Sequence, residues 1–393
     1  MARHDLYVHC IDSYLCAFLI IKYRKNTLPN RTQSVSMSNI QTKAHGDLFT
    51  FIVKMRNFFL FLAFIVASIN AASVIKLSAL NIVGAPTLSG LSAGGFMAVQ
   101  MHVAHSATFN GSAIYAAGPY FCAQGSFSFA EEKCMYYLMG GPDTSKLISY
   151  TDKQASAKTI DDTANLKDDK VFIYSGSKDS VVDPKVVHAL EDYYNNYLPQ
   201  GNVVSNFKLA SQHCIPTLNY GESCGKLSSP YIGDCSYDGA GTGLQQMLGT
   251  LNKATTAVAA NLFTFDQTPF FSGAGKDICL SDTGYIYIPT ACQNGASACR
   301  LHMSFHGCSQ EQASIGSDYA NHAGFNTWAE ANNIVVVYPY AVANQKLGNP
   351  NACFDWWGYT DPAGEVNYTL QSGVQIKFAK SIVDTLVGTA AQK

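Results

Sequence analysis

The chain has 393 residues, 47% hydrophobic and 14% charged, with a formal net charge of −2. No basic excess exists, which argues against a nucleic-acid partner. Low charge together with 22 Tyr and 22 Phe describes a globular chain with an aromatic-rich core and surface, and nothing in its body has the composition of disorder.

Residues 1–54 are polar, mixed and without clear periodicity, apart from a short apolar stretch from Leu15 to Ile21. Residues 55–72 have the pattern of a secretory signal: Met55-Arg56-Asn57, an apolar core from Phe58 to Ala67, then small residues up to Ala72. The core is too short for a comfortable membrane span, so no stable span is expected in the mature form. Either Met55 is the true start or the extension leaves with the signal. The expected location is secreted, extracellular or periplasmic. Residues 73–393 hold no Pro- or Ser-rich linker and no repeat, and are expected to form a single catalytic domain that acts as a monomer.

The most informative stretch is Gly90-Leu91-Ser92-Ala93-Gly94. The run Pro86–Ser89 precedes it and the helix-like stretch Gly95–Met101 follows, giving the strand, sharp turn and helix of a nucleophile elbow. The glycines leave room for a tight turn, and the following helix aims its positive end where an oxyanion would form. Ser92 is therefore the expected nucleophile. A second match to the pattern, Gly221–Gly225, has no apolar run before it and Pro230 shortly after, so Ser223 reads as a turn residue beside a cysteine.

Further along, Lys170–Ser175, Leu301–His306 and Ile334–Pro339 read as buried parallel strands. Helical spacing recurs at Lys185–Tyr194 and at Val374, Phe378, Ile382, Val383 and Leu386. This alternation predicts an α/β fold with a mostly parallel central sheet and helices on both faces.

A serine nucleophile needs a base and an orienting carboxylate. Asp179 lies in the loop after the strand Val171–Tyr174, while Asp183 precedes a proline and reads as a helix cap. Among the ten histidines, His213 sits in a loop past the run Ser205–Ala210 and is the expected base. His102 and His105 read as packed or solvated helix residues, and His188 and His322 as helix or loop residues. The expected oxyanion donors are the backbone N–H groups of Ala93 and of Cys308, the latter in His306-Gly307-Cys308. That loop normally precedes the nucleophile in sequence, whereas here it follows the histidine. The order predicts a circularly permuted α/β hydrolase. Trp356, Trp357 and Tyr359 form an aromatic loop that would line an apolar substrate groove, with core packing as the alternative.

Ten of the 12 cysteines follow the signal, and an even count there predicts a disulfide-stapled domain. Local pairing suggests Cys122–Cys134, Cys224–Cys235 and Cys292–Cys299, with Cys308–Cys353 joining two loops. Elimination leaves Cys214–Cys279. No metal site is expected, because no C-x-x-C or paired His/Cys spacing occurs. No cofactor is expected either: Gly239–Gly243 lacks the spacing and preceding strand of a nucleotide loop.

Taken together, these residues resemble the secreted poly(3-hydroxybutyrate) depolymerases of the single-domain, circularly permuted type. The likeness rests on Gly90–Gly95, Ala117–Ala123, Ser175–Asp179, Ser229–Ile232, Cys235–Gly241, Phe305–Cys308 and Cys353–Tyr359. The resemblance implies Ser92, Asp179 and His213 as a triad, Cys308 N–H in the oxyanion hole, and polyester hydrolysis through an acyl-enzyme. The alternatives are a carboxylesterase on another ester, of feruloyl or acetyl-xylan type, and a non-catalytic binding protein on the same scaffold.

Overall fold

A computed structural model describes residues 74–295 and 297–388. The expected extension over 1–54 and the expected signal over 55–72 lie outside the described residues.

The main sheet has eight strands: β1 (Thr87–Leu91), β2 (Gly111–Tyr115), β3 (Lys170–Tyr174), β4 (Val203–Asn206), then β8 (Leu262–Asp266), β9 (Thr283–Tyr287), β10 (Arg300–Phe305) and β11 (Ile334–Tyr338). Its order is β4-β3-β2-β1-β10-β11-β9-β8. All pairings from β4 to β11 are parallel, and β9 and β8 continue the sheet with antiparallel pairings. The chain thus runs outward from β1 in one direction and much later returns to its other side. Such a return needs long crossovers, as parallel pairing does generally. β5 (Ile215–Thr217), β6 (Glu222–Ser223) and β7 (Ile232–Asp234) form a separate small sheet.

Among the described residues seven helices of eight residues or more punctuate the strands: α1 (Ala93–Ala104), α2 (Phe127–Cys134), α3 (Thr144–Ser156), α4 (Pro184–Asn195), α5 (Gly239–Leu248), α6 (Phe325–Asn332) and α7 (Val374–Val387). The period-2 alternation of strand side chains sorts them between two layers. Leu88, Ile114, Ile173, Met303, Val335 and Val337 share one core with α1, α4 and α7. Ala113, Phe172, Ile334, Val336 and Tyr338 share the other with α5 and α6. Helix α1 is buried along all 12 residues, so its sequence is apolar on every side but for Gln100 and His102, whose side chains find buried partners in Asp355 O and Tyr194 OH.

The expected strands and helices are present with ends shifted by one to three residues. The run expected to lead into His213 ends sooner, at Asn206, because β4 is a short edge strand. The antiparallel pair β8–β9 was not legible, since its half-buried residues carry a weak pattern. Gly239–Gly243 opens α5, with Asp238 Oδ1 accepting from Gly241 N at 2.7 Å.

All four suggested disulfides are formed: Cys122–Cys134, Cys224–Cys235, Cys292–Cys299 and Cys308–Cys353. Cys214–Cys279 is a correction: both are buried free thiols. They sit in different surroundings. Cys214 packs against Gly233 of β7, where a Cβ would reach its sulfur at 2.5 Å, while Cys279 lies near Tyr359 and Asn349. Counting cysteines could not reveal this, because a small buried thiol packs like any apolar group. Four disulfides indicate an oxidising compartment for the folded chain.

Candidate active site

β1 delivers Ser92 to the carboxyl end of the sheet, and α1 begins at the next residue. Ser92 has φ 56° and ψ −123°, a conformation that costs roughly 1–3 kcal/mol outside glycine. The turn is held from both sides: Ser92 N donates to Tyr115 O at 2.9 Å, and Ser92 O accepts from Phe96 N at 2.9 Å. Two glycines of the motif are sterically required. A Cβ on Gly90 would overlap the Gly94 carbonyl, and one on Gly94 would overlap the Phe305 carbonyl of β10. Ser223, in the decoy motif, has no such turn; it is exposed in a two-residue strand.

Asp179 stands in the loop after β3, buried at 7% exposure. Its Oδ1 accepts from the amides of Val181 and Val182 at 2.9 and 3.0 Å. Its Oδ2 lies 2.8 Å from His213 Nδ1. Two fixed amides on one oxygen leave the other aimed at the imidazole. Asp183 caps α4 instead, through Lys185 N at 2.8 Å.

The loops carrying Asp179 and His213 are interlaced. Ser177 N and Lys178 N donate to Leu209 O and Ser211 O, at 2.8 and 3.1 Å. Gln212 Oε1 accepts from both Ser180 N and Ser180 Oγ, at 3.1 and 3.0 Å. Gly176 is required here, because a Cβ would strike Ser211. Gln212 was missed in the sequence, since its role depends on a residue 32 positions away.

Ser92 and His213 line one cavity of about 750 Å³. Leu91, Phe96, Val181, Val182, Leu227, Tyr231, Trp356 and Trp357 contribute to its walls, and Gly307, Cys308, Ser309 and Gln310 form another side. The Ser92 hydroxyl has no hydrogen-bond partner among the described residues. Catalytic hydrogen bonds of this kind often tighten only with substrate present. No hydrogen bond among the described residues uses the Ala93 or Cys308 amide. Ala93 opens α1, and Gly307 beside Cys308 packs against the Ser92 turn.

Trp356 stacks on Phe96, with centroids 4.1 Å apart, and meets Trp357 edge to face at 5.5 Å. Its buried indole N–H has no partner among the described residues. Tyr359 does not line the cavity; its hydroxyl donates to Cys353 O at 2.6 Å. Asp355 organises the aromatic loop. Its Oδ1 accepts from the amides of Trp357, Gly358 and Tyr359, and its Oδ2 from Thr360 N and Oγ1, all between 2.6 and 3.2 Å. Burial still raises the Asp355 carboxyl above its usual range, and these donors act against that rise. The Cys308–Cys353 disulfide ties this loop to the loop that follows β10.

Beneath the elbow, polar side chains join β1 to β10. Thr87 Oγ1 and Ser89 Oγ each lie 2.8 Å from a ring nitrogen of His302. Ser89 Oγ donates to Ser304 Oγ at 2.9 Å, and Ser304 reaches Tyr319 OH at 3.0 Å. Burial lowers the His302 pKa to about 3, so it stays neutral. Among the described residues no group of His, Cys, Asp and Glu is arranged to hold a metal ion.

A serine in a strained turn at the end of a parallel strand, sharing a cavity with a loop histidine on a permuted α/β scaffold, defines an α/β hydrolase. No family model matches the chain. It is 43% identical over 324 residues to "Poly(3-hydroxybutyrate) depolymerase" of Delftia acidovorans, covering 81% of this chain and 63% of that one. It is 34% identical over 318 residues to "Polyhydroxybutyrate depolymerase" of Talaromyces funiculosus, covering 77% of this chain and 90% of that one. The crystal structure of PHB depolymerase from Penicillium funiculosum aligns with TM-score 0.72 at 34% identity, over 80% of this chain and 99% of that one. A serine-to-alanine variant of PHB depolymerase complexed with an R3HB trimer aligns equally, at 33% identity. The chain belongs to the polyhydroxybutyrate depolymerase family. It spans just under two thirds of the length of the Delftia relative.

Proposed function

We propose that this chain is a secreted serine esterase that hydrolyses poly(3-hydroxybutyrate) and related short-chain polyhydroxyalkanoate esters, with residues 73–393 as one catalytic domain. The observation that carries the reading is that Ser92 and His213, the latter paired with Asp179, line one largely apolar cavity. The family supports the polyester substrate, because a relative is seen with an R3HB trimer.

Asp179 accepts from His213 Nδ1–H, so the lone pair at Nε2 is free to take the Ser92 proton. The Ser92 oxygen then attacks the ester carbonyl, and the Ala93 and Cys308 amides hold the tetrahedral oxyanion. Collapse breaks the bond to the leaving alkoxide, which receives the proton from His213. Water, deprotonated by the same ring, attacks the acyl-enzyme and frees the hydroxyacid end. Trp356 and Trp357 shape the apolar wall for the polymer backbone and its methyl branches. Largely apolar walls suit a polyester, which carries no charge along its length.

The test is clearing of a poly(3-hydroxybutyrate) granule suspension by the purified protein, with Ser92→Ala as control. Clearing that vanishes with the serine supports the proposal. No clearing, with rapid release of ferulate or acetate from plant polysaccharide, would replace the polyester with another ester.

A further inference from the structure

The cavity that holds Ser92 and His213 has one carboxylate side chain in its wall and, among the described residues, no lysine or arginine. That carboxylate is Glu131. Phe127 and Glu131 on α2, with Met135 just past the helix end, are spaced by four residues and share the face turned to the cavity. Glu131 is exposed, and no ion pair among the described residues uses it.

The cations close to the wall residues in sequence are engaged elsewhere or stand outside. Lys133 lies over the Phe129 ring at 4.5 Å, and Lys185 over the Tyr137 ring at 5.4 Å. Lys226 pairs with Glu222 at 2.6 Å. Lys178 and Lys346 are exposed and do not line the cavity. Helix α2 itself is fixed at both ends. Ser126 Oγ accepts from Phe129 N at 3.3 Å, and the Cys122–Cys134 disulfide ties back the last residue. Phe127 meets Trp357 edge to face at 5.8 Å. The backbone of Glu131 is therefore held beside the cavity.

A poly(3-hydroxybutyrate) chain is neutral except at its one carboxyl end, and every cut makes a new carboxylate. A carboxylate entering this cavity would give up water to largely apolar walls, find no cation, and meet Glu131. An internal stretch of ester groups incurs neither cost. We propose that Glu131 is a specificity-determining residue, which turns carboxylate-ended chains away so that neutral internal stretches are cut in preference. The inference rests on the polyester reading above. Like charges oppose entry of the acid, so the effect falls on its KM.

The experiment compares the linear trimer of 3-hydroxybutyrate as free acid and as methyl ester, at about pH 7.5 where the substrate acid is ionised. Backbone cleavage of both is followed by chromatography on the same preparation, so a partly unfolded sample cancels from the ratio of the two kcat/KM values. The wild-type protein should favour the methyl ester. Glu131→Gln should lower that preference about 3- to 10-fold, through a lower KM for the acid, and Glu131→Lys should lower it further. Raising salt from about 0.02 to about 0.5 M should lower the preference of the wild-type protein and leave that of Glu131→Gln nearly fixed. Glu132→Gln removes the same charge from the same helix outside the cavity wall, and should keep the wild-type ratio. A wild-type ratio in Glu131→Gln, or an equal shift in Glu132→Gln, overturns the inference. If the wild-type protein cleaves neither trimer, the polyester reading itself fails; if it cleaves the methyl ester and Glu131→Gln leaves the ratio unchanged, only the role of Glu131 fails.

Discussion

Gly307 stands directly against Ser92: a Cβ built on Gly307 would lie 3.3 Å from the Ser92 Cβ and 3.2 Å from the Leu91 carbonyl oxygen. The loop at Gly307 and the turn at Ser92 are therefore in contact, although 215 residues separate them in sequence. Gly307→Ala should push the two apart by a few tenths of an ångström. The expected result is a fall in kcat of about 10- to 100-fold with little change in melting temperature. A variant with unchanged kcat would show that this contact does not set the site geometry.

The strain at Ser92 separates catalysis from stability. Ser92→Ala should remove roughly 10⁴-fold or more of kcat and leave the fold intact. Ser92→Gly should be equally inactive but more stable than Ser92→Ala by about 1 kcal/mol, because glycine accepts the turn's backbone angles without cost. Urea unfolding of the two variants makes the comparison. Ser223→Ala should be nearly silent in both assays, and loss of activity there would move the nucleophile to the other motif.

Asp179 and Gln212 act on His213 in different ways. Asp179→Asn should lower kcat roughly 10⁴-fold, because an amide in that place favours the wrong imidazole tautomer. Gln212→Leu breaks the link to Ser180 and should cost about 10- to 100-fold, through misplacement of the ring alone. Steady-state kinetics on a soluble aryl ester would measure both. Equal losses in the two variants would contradict the division of labour.

The aromatic loop gives a contrast in substrate handling. Trp356→Ala opens the cavity wall and should raise KM for hydroxybutyrate oligomers more than for a short aryl ester. Tyr359→Phe removes a hydroxyl bonded to Cys353 O and Gln375 and should cost about 1 kcal/mol of stability with KM unchanged. Asp355→Asn should loosen the whole loop and affect both. A KM change in Tyr359→Phe alone would place that ring, and not Trp356, against the substrate.

Three buried imidazoles set a pH dependence of stability. Burial lowers the pKa of His302 to about 3, and lowers those of His105 and His306 to about 4. Between pH 6.5 and about 4 the unfolded chain binds protons at these rings and the folded one does not. Their contribution is complete above pH 6.5 and is lost as pH falls, by up to about 1.4 kcal/mol per pH unit for each ring. Asp355 and Asp361, raised by burial, act in the opposite sense, but only near the carboxylate range. Urea unfolding at pH 7.5, 6.5 and 5.5 should show the decline, and His105→Gln should make it shallower. Stability that rises on acidification through this window would refute the assignment.

What was legible in the sequence alone was local steric demand. Gly90–Gly94 announced a sharp turn because only glycine fits where backbone meets backbone, and the β-branched run Ile334–Tyr338 announced a buried strand because both faces of a parallel sheet are covered. Short-range pairings of cysteine were legible for the same reason: nearby chain segments have few places to go. Other relationships were decided by the tertiary structure. Cys214 and Cys279 stay apart because each is packed in its own surroundings, which a count of cysteines does not register. Gln212 became a bridge to Ser180, and Asp355 a clamp on the aromatic loop, only once distant strands aligned. Local steric demands are written residue by residue, whereas the direction of a hydrogen bond across hundreds of positions exists only after the sheet has closed around it.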